Sequence, residues 1–285
     1  MTGIDNAGGT GTGLSDLGIR EAILRAGVRP RRWGSFYVAE HRIRAMRAYL
    51  QTLVVTSFGN PLVYLFGLGV GLARLVPTEV GGATYLQFVA PALLASAAVT
   101  VAAEECTYPV LMGFKWNPIF YAMNAAPISG VQITNGLVIA VSVRMLPTVA
   151  IYFIFMLLFG AVPSALGVLA IIVAVFTGMS VGLLIMAYTS TIIEDRGQMA
   201  LIQRFGIVPM FLFSGTFFPI TQLPIYLQWI GWISPLWHGT QLGRVVTYGL
   251  AEPGWLIAVN IAYPLALGAF GWWSTARTIT RRLNA

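Results

Sequence analysis

Whole runs of this chain lack any Asp, Glu, Lys or Arg: residues 48–73, 80–103, 145–193, 205–243 and 253–276. An α-helix crossing the hydrocarbon of a bilayer needs about 20 mostly apolar residues, and each run is at least that long. Residues 145–193 suffice for two helices, divided near Gly160, Pro163 and Ser164, whereas only the first half of 205–243 is consistently apolar. The reading is an all-α membrane protein with six transmembrane helices, at about residues 48–73, 80–103, 145–161, 165–190, 203–220 and 254–276. The same count excludes a water-exposed fold. A soluble domain carries about 25% charged residues, and this chain carries 9%, with 57% hydrophobic.

Two further segments bear on the count. Residues 116–143 are uncharged but contain Asn117, Pro118, Asn124, Pro127, Gln132, Thr134 and Asn135, polar and helix-breaking groups that lipid would leave unsatisfied. An interfacial or cytoplasmic path is expected for them. Residues 221–243 hold Pro224, Pro235, Trp229, Trp232 and Trp237. Tryptophan favours the membrane–water boundary, so this segment reads as a re-entrant hairpin in the outer leaflet, between helices five and six. If both segments crossed there would be eight spans.

Arginine placement tests the six-span arrangement. With both termini cytoplasmic, the inner side receives Arg20, Arg25, Arg29, Arg31, Arg32, Arg42, Arg44 and Arg47, then Lys115, Arg144, Arg196, Arg204, Arg277, Arg281 and Arg282. The outer side receives only Arg74 and Arg244. That is the positive-inside asymmetry, and an odd number of spans would destroy it. Arg144 is expected to open the third span and snorkel to the headgroups; no substrate role is assigned to it.

Residues 1–30 are expected to be a flexible cytoplasmic tail. Its first thirteen residues are rich in Gly and Thr and lack the apolar core of a secretory signal. Residues 31–285 form one membrane domain. Phe36, Ala39, Ile43, Met46 and Leu50 recur at spacings of three and four, opposite Glu40, Arg44 and Arg47. This is an amphipathic stripe that predicts a helix lying flat at the headgroups; the alternative is a charged start to the first span.

What the chain lacks narrows the chemistry. Its ten acidic residues all fall in tails, loops or span ends, whereas an ion-coupled transporter generally places a carboxylate near the bilayer midplane. The two histidines, His41 and His238, and the single Cys106 supply neither a metal cluster nor a hydrolytic triad. No catalytic residue and no metal site is predicted. The glycine-rich stretch Phe66 to Gly71 lacks the Gly-Lys-Ser/Thr ending of a phosphate-binding loop, and the only lysine, Lys115, follows Phe114. No cofactor is expected on this chain; if ATP drives it, ATP and magnesium bind a partner. The net charge of +7 reads as topology and lipid contact, not as nucleic-acid binding. A membrane-embedded enzyme or scaffold is the competing class.

Three motif blocks carry a resemblance. Asn60-Pro61 precedes Tyr64-Leu-Phe-Gly-Leu-Gly-Val-Gly71 in the first span. Glu104-Glu-Cys-Thr-Tyr108 through Met123-Asn-Ala-Ala-Pro-Ile-Ser129 follows the second. Phe213-Ser-Gly-Thr-Phe-Phe-Pro219, then Leu223-Pro224 and Ser234-Pro-Leu-Trp-His-Gly239, close and follow the fifth. Together, over residues 37–276, these resemble the permeases of type-2 ABC exporters, in the branch that includes the nodulation lipo-oligosaccharide exporters. The resemblance implies six spans, a dimer of permeases (homodimer or heterodimer), and two separate cytoplasmic ABC ATPase subunits. It implies an interfacial N-terminal helix and a short helix within residues 104–121 that touch those subunits.

Each site then has two readings. Glu104 and Glu105 transmit ATPase closure to the spans, or are a solvated helix end. Tyr108, Met112, Phe114 and Trp116 fill a cleft in the partner, or anchor the loop at the membrane. Glu194, Asp195 and Arg196, in a short inner loop, are a second docking point or a solvated turn. Phe213, Gly215, Phe217, Phe218 and Pro219 end or bend the fifth helix and, with Pro235, Trp237 and His238, form an outer gate; the alternative is an ordinary helix-to-loop transition. Tyr64, Phe66, Tyr85 and Phe88 stack on a substrate's rings or face lipid.

A conduit without central charges suits an amphiphile, and the expected cargo is a lipid-linked oligosaccharide, glycolipid or similar molecule moved outward across the bacterial inner membrane. Export of a hydrophobic drug or antibiotic is the alternative within the class.

Overall fold

The computed structural model describes residues 12–71, 79–80 and 82–285. Its regular structure is helical. Four helices are long and apolar enough to cross a membrane among the described residues, Tyr85–Phe114, Gly130–Leu158, Ala165–Thr191 and Gly254–Leu283, and a shorter apolar one runs over Gln198–Phe213. In chain order, α1 is Thr12–Met46, α2 Leu50–Tyr64 with a π-helical continuation over Leu65–Gly71, α3 Tyr85–Cys106, α4 Tyr108–Phe114 and α5 Ile119–Ala125. Then come α6 Gly130–Leu158, α7 Leu169–Thr191, α8 Gln198–Leu201, a π-helical stretch Ile202–Ile207, α9 Val208–Phe213, α10 Ile225–Ile233, α11 Pro235–Tyr248 and α12 Gly254–Leu283.

Starts and stops follow local chemistry. Thr84 with Gln87 and Ser129 with Gln132 form reciprocal capping boxes at the heads of α3 and α6, each satisfying donors the first turn leaves free. Gly249, at φ +78°, closes α11 in the left-handed region.

Lipid supplies no hydrophobic drive between helices, so close packing must do the work. On α7, Gly178 and Gly182 lie four residues apart and face Ala98 and Ala102 on α3. A Cβ on Gly178 would come within 2.9 Å of the Ala98 carbonyl oxygen, and one on Gly182 within 2.9 Å of the Ala102 methyl. Gly271 of α12 would place a Cβ 2.7 Å from the Leu183 carbonyl carbon of α7. On the other side, Gly136 of α6 receives Val38 of α1. Helices α3, α6, α7, α11 and α12 thus form one body around a core that includes Leu94, Met145, Tyr152 and Met186, with α1 laid along α6.

Three expectations change. Residues 12–30 belong to α1 rather than to a tail; from Leu14 onward the Leu, Ile, Ala and Arg content favours helix. Residues 1–11 lie outside the described residues, as do Arg74 and the last two residues of the first predicted span. The helix of the third predicted span begins at Gly130, not near Met145, because its polar residues are satisfied inside the protein. Gln132 Nε2 donates to the Arg31 carbonyl at 2.7 Å, Thr134 to the Gly130 carbonyl at 3.0 Å, and Trp272 Nε1 to Asn135 Oδ1 at 2.7 Å. Arg144 consequently sits mid-helix and buried, where snorkelling to the headgroups is not its environment.

Candidate functional site

Three places bring functional side chains together. At the end that carries the chain's C-terminal arginines, adjacent Glu104 and Glu105 part company. Helical neighbours lie about 100° apart, so Glu105 turns inward and accepts from Arg42 of α1 at 2.7 Å and from the Tyr49 hydroxyl at 3.3 Å. Arg42 is 11% and Glu105 6% exposed. Glu105 is therefore a buried clamp between α1 and α3 and not a solvated helix end. Glu104 points instead into a cavity described below.

The short helix α4 divides by the same periodicity. Tyr108, Met112 and Trp116, spaced by four, are exposed, and the Tyr108 and Trp116 rings stack at 6.2 Å. Phe114 is not one of these outward knobs. It is buried, edge-on to Phe120 at 4.9 Å and under the Arg282 guanidinium at 3.9 Å. Arg282 also donates to the Ser190 and Ile192 carbonyls at 2.7 and 2.8 Å, tying the ends of α12 and α7 to α4. Beside them, Glu194 and Arg196 form an exposed ion pair at 2.8 Å, and the Asp195 carboxylate accepts from the Gly197 amide. On α1, Ala39 and Met46 are buried, Phe36 is exposed, Ile43 is half-buried and Arg44 faces outward, as does Arg47 just beyond it; Arg44 pairs with Glu40.

At the opposite end, α9 stops at Phe213. Ser214 Oγ donates to Ser234 Oγ at 2.6 Å, and Gly215 takes φ +69°, a conformation that favours glycine. Its carbonyl receives Arg244 at 2.7 Å. Phe217 packs edge-on to Phe211 at 5.0 Å, Phe218 is half-buried, and Pro219 borders a cavity of about 650 Å³ lined also by Phe88, Trp237, His238, Trp255 and Val259. Pro235 opens α11 in the first-turn position that proline tolerates. Arg244 is buried, donates to the Phe88 carbonyl at 3.2 Å, and lies 3.6 Å over the Phe88 ring.

A polar chain continues from there. Arg244 donates to Gln241, Gln241 and Asn260 both donate to Glu252, and His238 Nδ1 meets Asn260 Oδ1 at 2.7 Å. His238 Nε2 meets the Trp232 carbonyl at 3.0 Å. Burial pushes the Glu252 carboxyl above the usual carboxylate range, against the downward pull of its bonds to Gln241 and Asn260 and of the Arg244 charge.

The third place is a cavity of about 280 Å³ between α2, α3, α6 and the Ile202–Phe213 segment. Pro61, Tyr64, Val101, Ile207 and Phe211 give it apolar walls; Ser96, Thr100, Glu104, Arg144, Thr148, Tyr152 and Gln203 give it polar ones. Arg144 donates to Thr148 Oγ1 at 2.9 Å, and Thr148 meets Ser57 Oγ of α2 at 2.8 Å. Of the four aromatics proposed for a substrate path, Tyr64 lines this cavity and Phe88 the outer one; Tyr85 is buried and Phe66 is 61% exposed. Sequence reasoning gave Arg144 no substrate role and did not single out Thr148 or Tyr152. Their signal was a polar group every fourth residue, hidden by expecting residues 116–143 to follow an interfacial or cytoplasmic path. Among the described residues no three His, Cys, Asp or Glu side chains converge to hold a metal.

Comparison with known proteins covers most of this body. Residues 38–248, from α1 to the end of α11, match the ABC-2 type transporter family. The chain is 30% identical over 198 residues to nodulation protein J of Rhizobium leguminosarum bv. trifolii, covering 67% of this chain and 72% of that one. To nodulation protein J of Rhizobium meliloti (strain 1021) it is 26% identical over 225 residues, 76% of this chain and 82% of that one. To nodulation protein J of Sinorhizobium fredii (strain NBRC 101917 / NGR234) it is 26% identical over 245 residues, 84% and 91% of the two chains. No solved structure matches the chain.

Proposed function

The chain belongs to the ABC-2 type transporter family, as an integral membrane permease subunit rather than a catalytic enzyme, and from that premise we propose that it moves a lipid-linked oligosaccharide, glycolipid or similar amphiphile outward across the bacterial inner membrane. ATP and magnesium bind cytoplasmic ABC ATPase subunits on separate chains, and two permease copies form the conduit. Both termini are cytoplasmic, six helices span, and α10 with α11 forms a re-entrant hairpin in the outer leaflet. The ATPase rests against the exposed face of α4, with Tyr108, Met112 and Trp116, beside the Glu194–Arg196 loop.

One observation carries the amphiphile: the cavity between α2, α3, α6 and the Ile202–Phe213 segment is lined by both polar groups and apolar side chains. Such a lining matches a molecule with a polar head and an apolar body, and suits neither a bare ion nor a plain hydrocarbon. Two measurements test the reading. Co-purification with ATPases encoded nearby should give a stable complex with vanadate-sensitive ATP hydrolysis. Lipid extracts of a deletion strain should contain an amphiphile that accumulates relative to the parent. If neither a complex nor an accumulated lipid is found, the exporter assignment of substrate and engine falls.

A further inference from the structure

The cavity that faces α2 and α9 contains a charge its own walls leave unmatched. Arg144 is 7% exposed. It donates to Thr148, yet its Nε–H has no acceptor, and no carboxylate forms an ion pair with it among the described residues. Buried charges are ordinarily paired because removing them from water is costly. A lysine or histidine could escape by losing its proton; a guanidinium cannot. Glu104 lines the same cavity and acts on Arg144 from a distance, so an arriving anion would displace a long-range attraction and not a formed pair.

A second orphan stands beside it. Tyr152 is 1% exposed and its hydroxyl also lacks a partner. Residues 144, 148 and 152 run along one face of α6 by their spacing of four. Arg144 reaches up that face to Thr148, whereas helical side chains lean back toward the N-terminus, which brings the Tyr152 ring down toward the same level. Thr148 is held from behind by Ser57. Arg144 and Tyr152 thus both border one space of about 280 Å³.

We propose that Arg144 is the receptor for an oxyanion carried on the transported amphiphile, a phosphate, sulfate or carboxylate, with the Tyr152 hydroxyl bonding a polar group next to it. The guanidinium fork sets Nε–H beside a terminal N–H, the pair that grips two oxygens of one anion. The apolar Tyr64, Ile207 and Phe211 take the adjoining apolar part. This deepens the amphiphile reading and rests on it, but binding is measured without any ATPase, so it fails separately from that reading.

The test uses the full chain purified in an uncharged maltoside detergent. Dodecyl phosphate is titrated while thermal unfolding is followed, with dodecyl maltoside and inorganic phosphate as controls. Wild type should be stabilised saturably by dodecyl phosphate. Arg144→Gln should raise the apparent Kd about tenfold or more, the scale of one charge-assisted hydrogen bond. Should that variant fail to fold, Tyr152→Phe carries the test. It removes an unpartnered hydroxyl, so it should keep the wild-type Tm without probe and still weaken dodecyl phosphate binding by about threefold to tenfold. Equal stabilisation of wild type and Tyr152→Phe, or of wild type and a folded Arg144→Gln, overturns the proposal. Saturation by inorganic phosphate at the same concentration overturns the amphiphile as the anion's source.

Discussion

Two neighbouring glutamates with opposite fates make the residue scale concrete. Glu105 is enclosed with Arg42 and Tyr49, and Glu104 lines the α6 cavity. Removing one member of a buried pair strands the other charge, at a cost of about 3–5 kcal/mol, whereas replacing both by apolar residues of similar size is often neutral. Glu105→Gln should therefore lower the thermal stability of the purified protein markedly, and the Arg42→Met/Glu105→Met double variant should regain most of the loss. A double-mutant cycle by thermal unfolding checks this; additive losses would remove the clamp. Arg282 is the other such point. Lysine cannot reproduce a planar group that donates to two carbonyls while lying flat on the Phe114 ring. Arg282→Lys should thus destabilise by about 1–2 kcal/mol and loosen α4, seen as faster proteolysis within residues 108–125.

At the scale of elements, the predicted motifs kept their chemistry while their faces were reassigned. The Tyr108, Met112, Trp116 stripe was legible from spacing, but Phe114 was grouped with it because a seven-residue helix offers too few repeats to separate inside from outside. Residues 130–143 were misread for a different reason. Polarity counted against a helix in lipid, but Thr134 bonds its own helix one turn back, and the partners of Gln132 and Asn135 come from α1 and α12, far away in the chain. The Phe213–Pro219 and Ser234–Gly239 blocks were read together, and the Ser214–Ser234 bond joins them. The seam of small residues between α3, α7 and α12 makes its own prediction. At Gly271 an added side chain meets Leu183 backbone, which cannot rotate away. Gly271→Val should cost about 1–3 kcal/mol, while the same change at Gly254, with open space around it, should leave folding yield nearly unchanged. Comparing the monodisperse fraction after size exclusion for the two variants decides it.

At the scale of the whole molecule, arginine asymmetry and helix length together constrain how the chain sits in the bilayer. Helix α10 has nine residues and α11 fourteen, about 14 Å and 21 Å at 1.5 Å per residue, both short of the roughly 30 Å hydrocarbon core. The Tyr263 hydroxyl donates to the Ile233 carbonyl at the turn between them. Tyr263 lies nine residues into α12, about 13 Å from its start, so the turn reaches no deeper than mid-bilayer if Gly254 marks the outer surface. The chain's single cysteine, Cys106, is buried, which makes accessibility mapping clean. In a Cys106→Ala background, a cysteine at Tyr226 should react with an impermeant maleimide on spheroplasts, and one at Trp116 only after the membrane is opened. A cysteine at Ile233 should stay unlabelled from the cytoplasmic side of inverted vesicles. Labelling of Ile233→Cys from that side would mean that α10 and α11 cross completely, and the hairpin, with the gate built on it, would have to be abandoned.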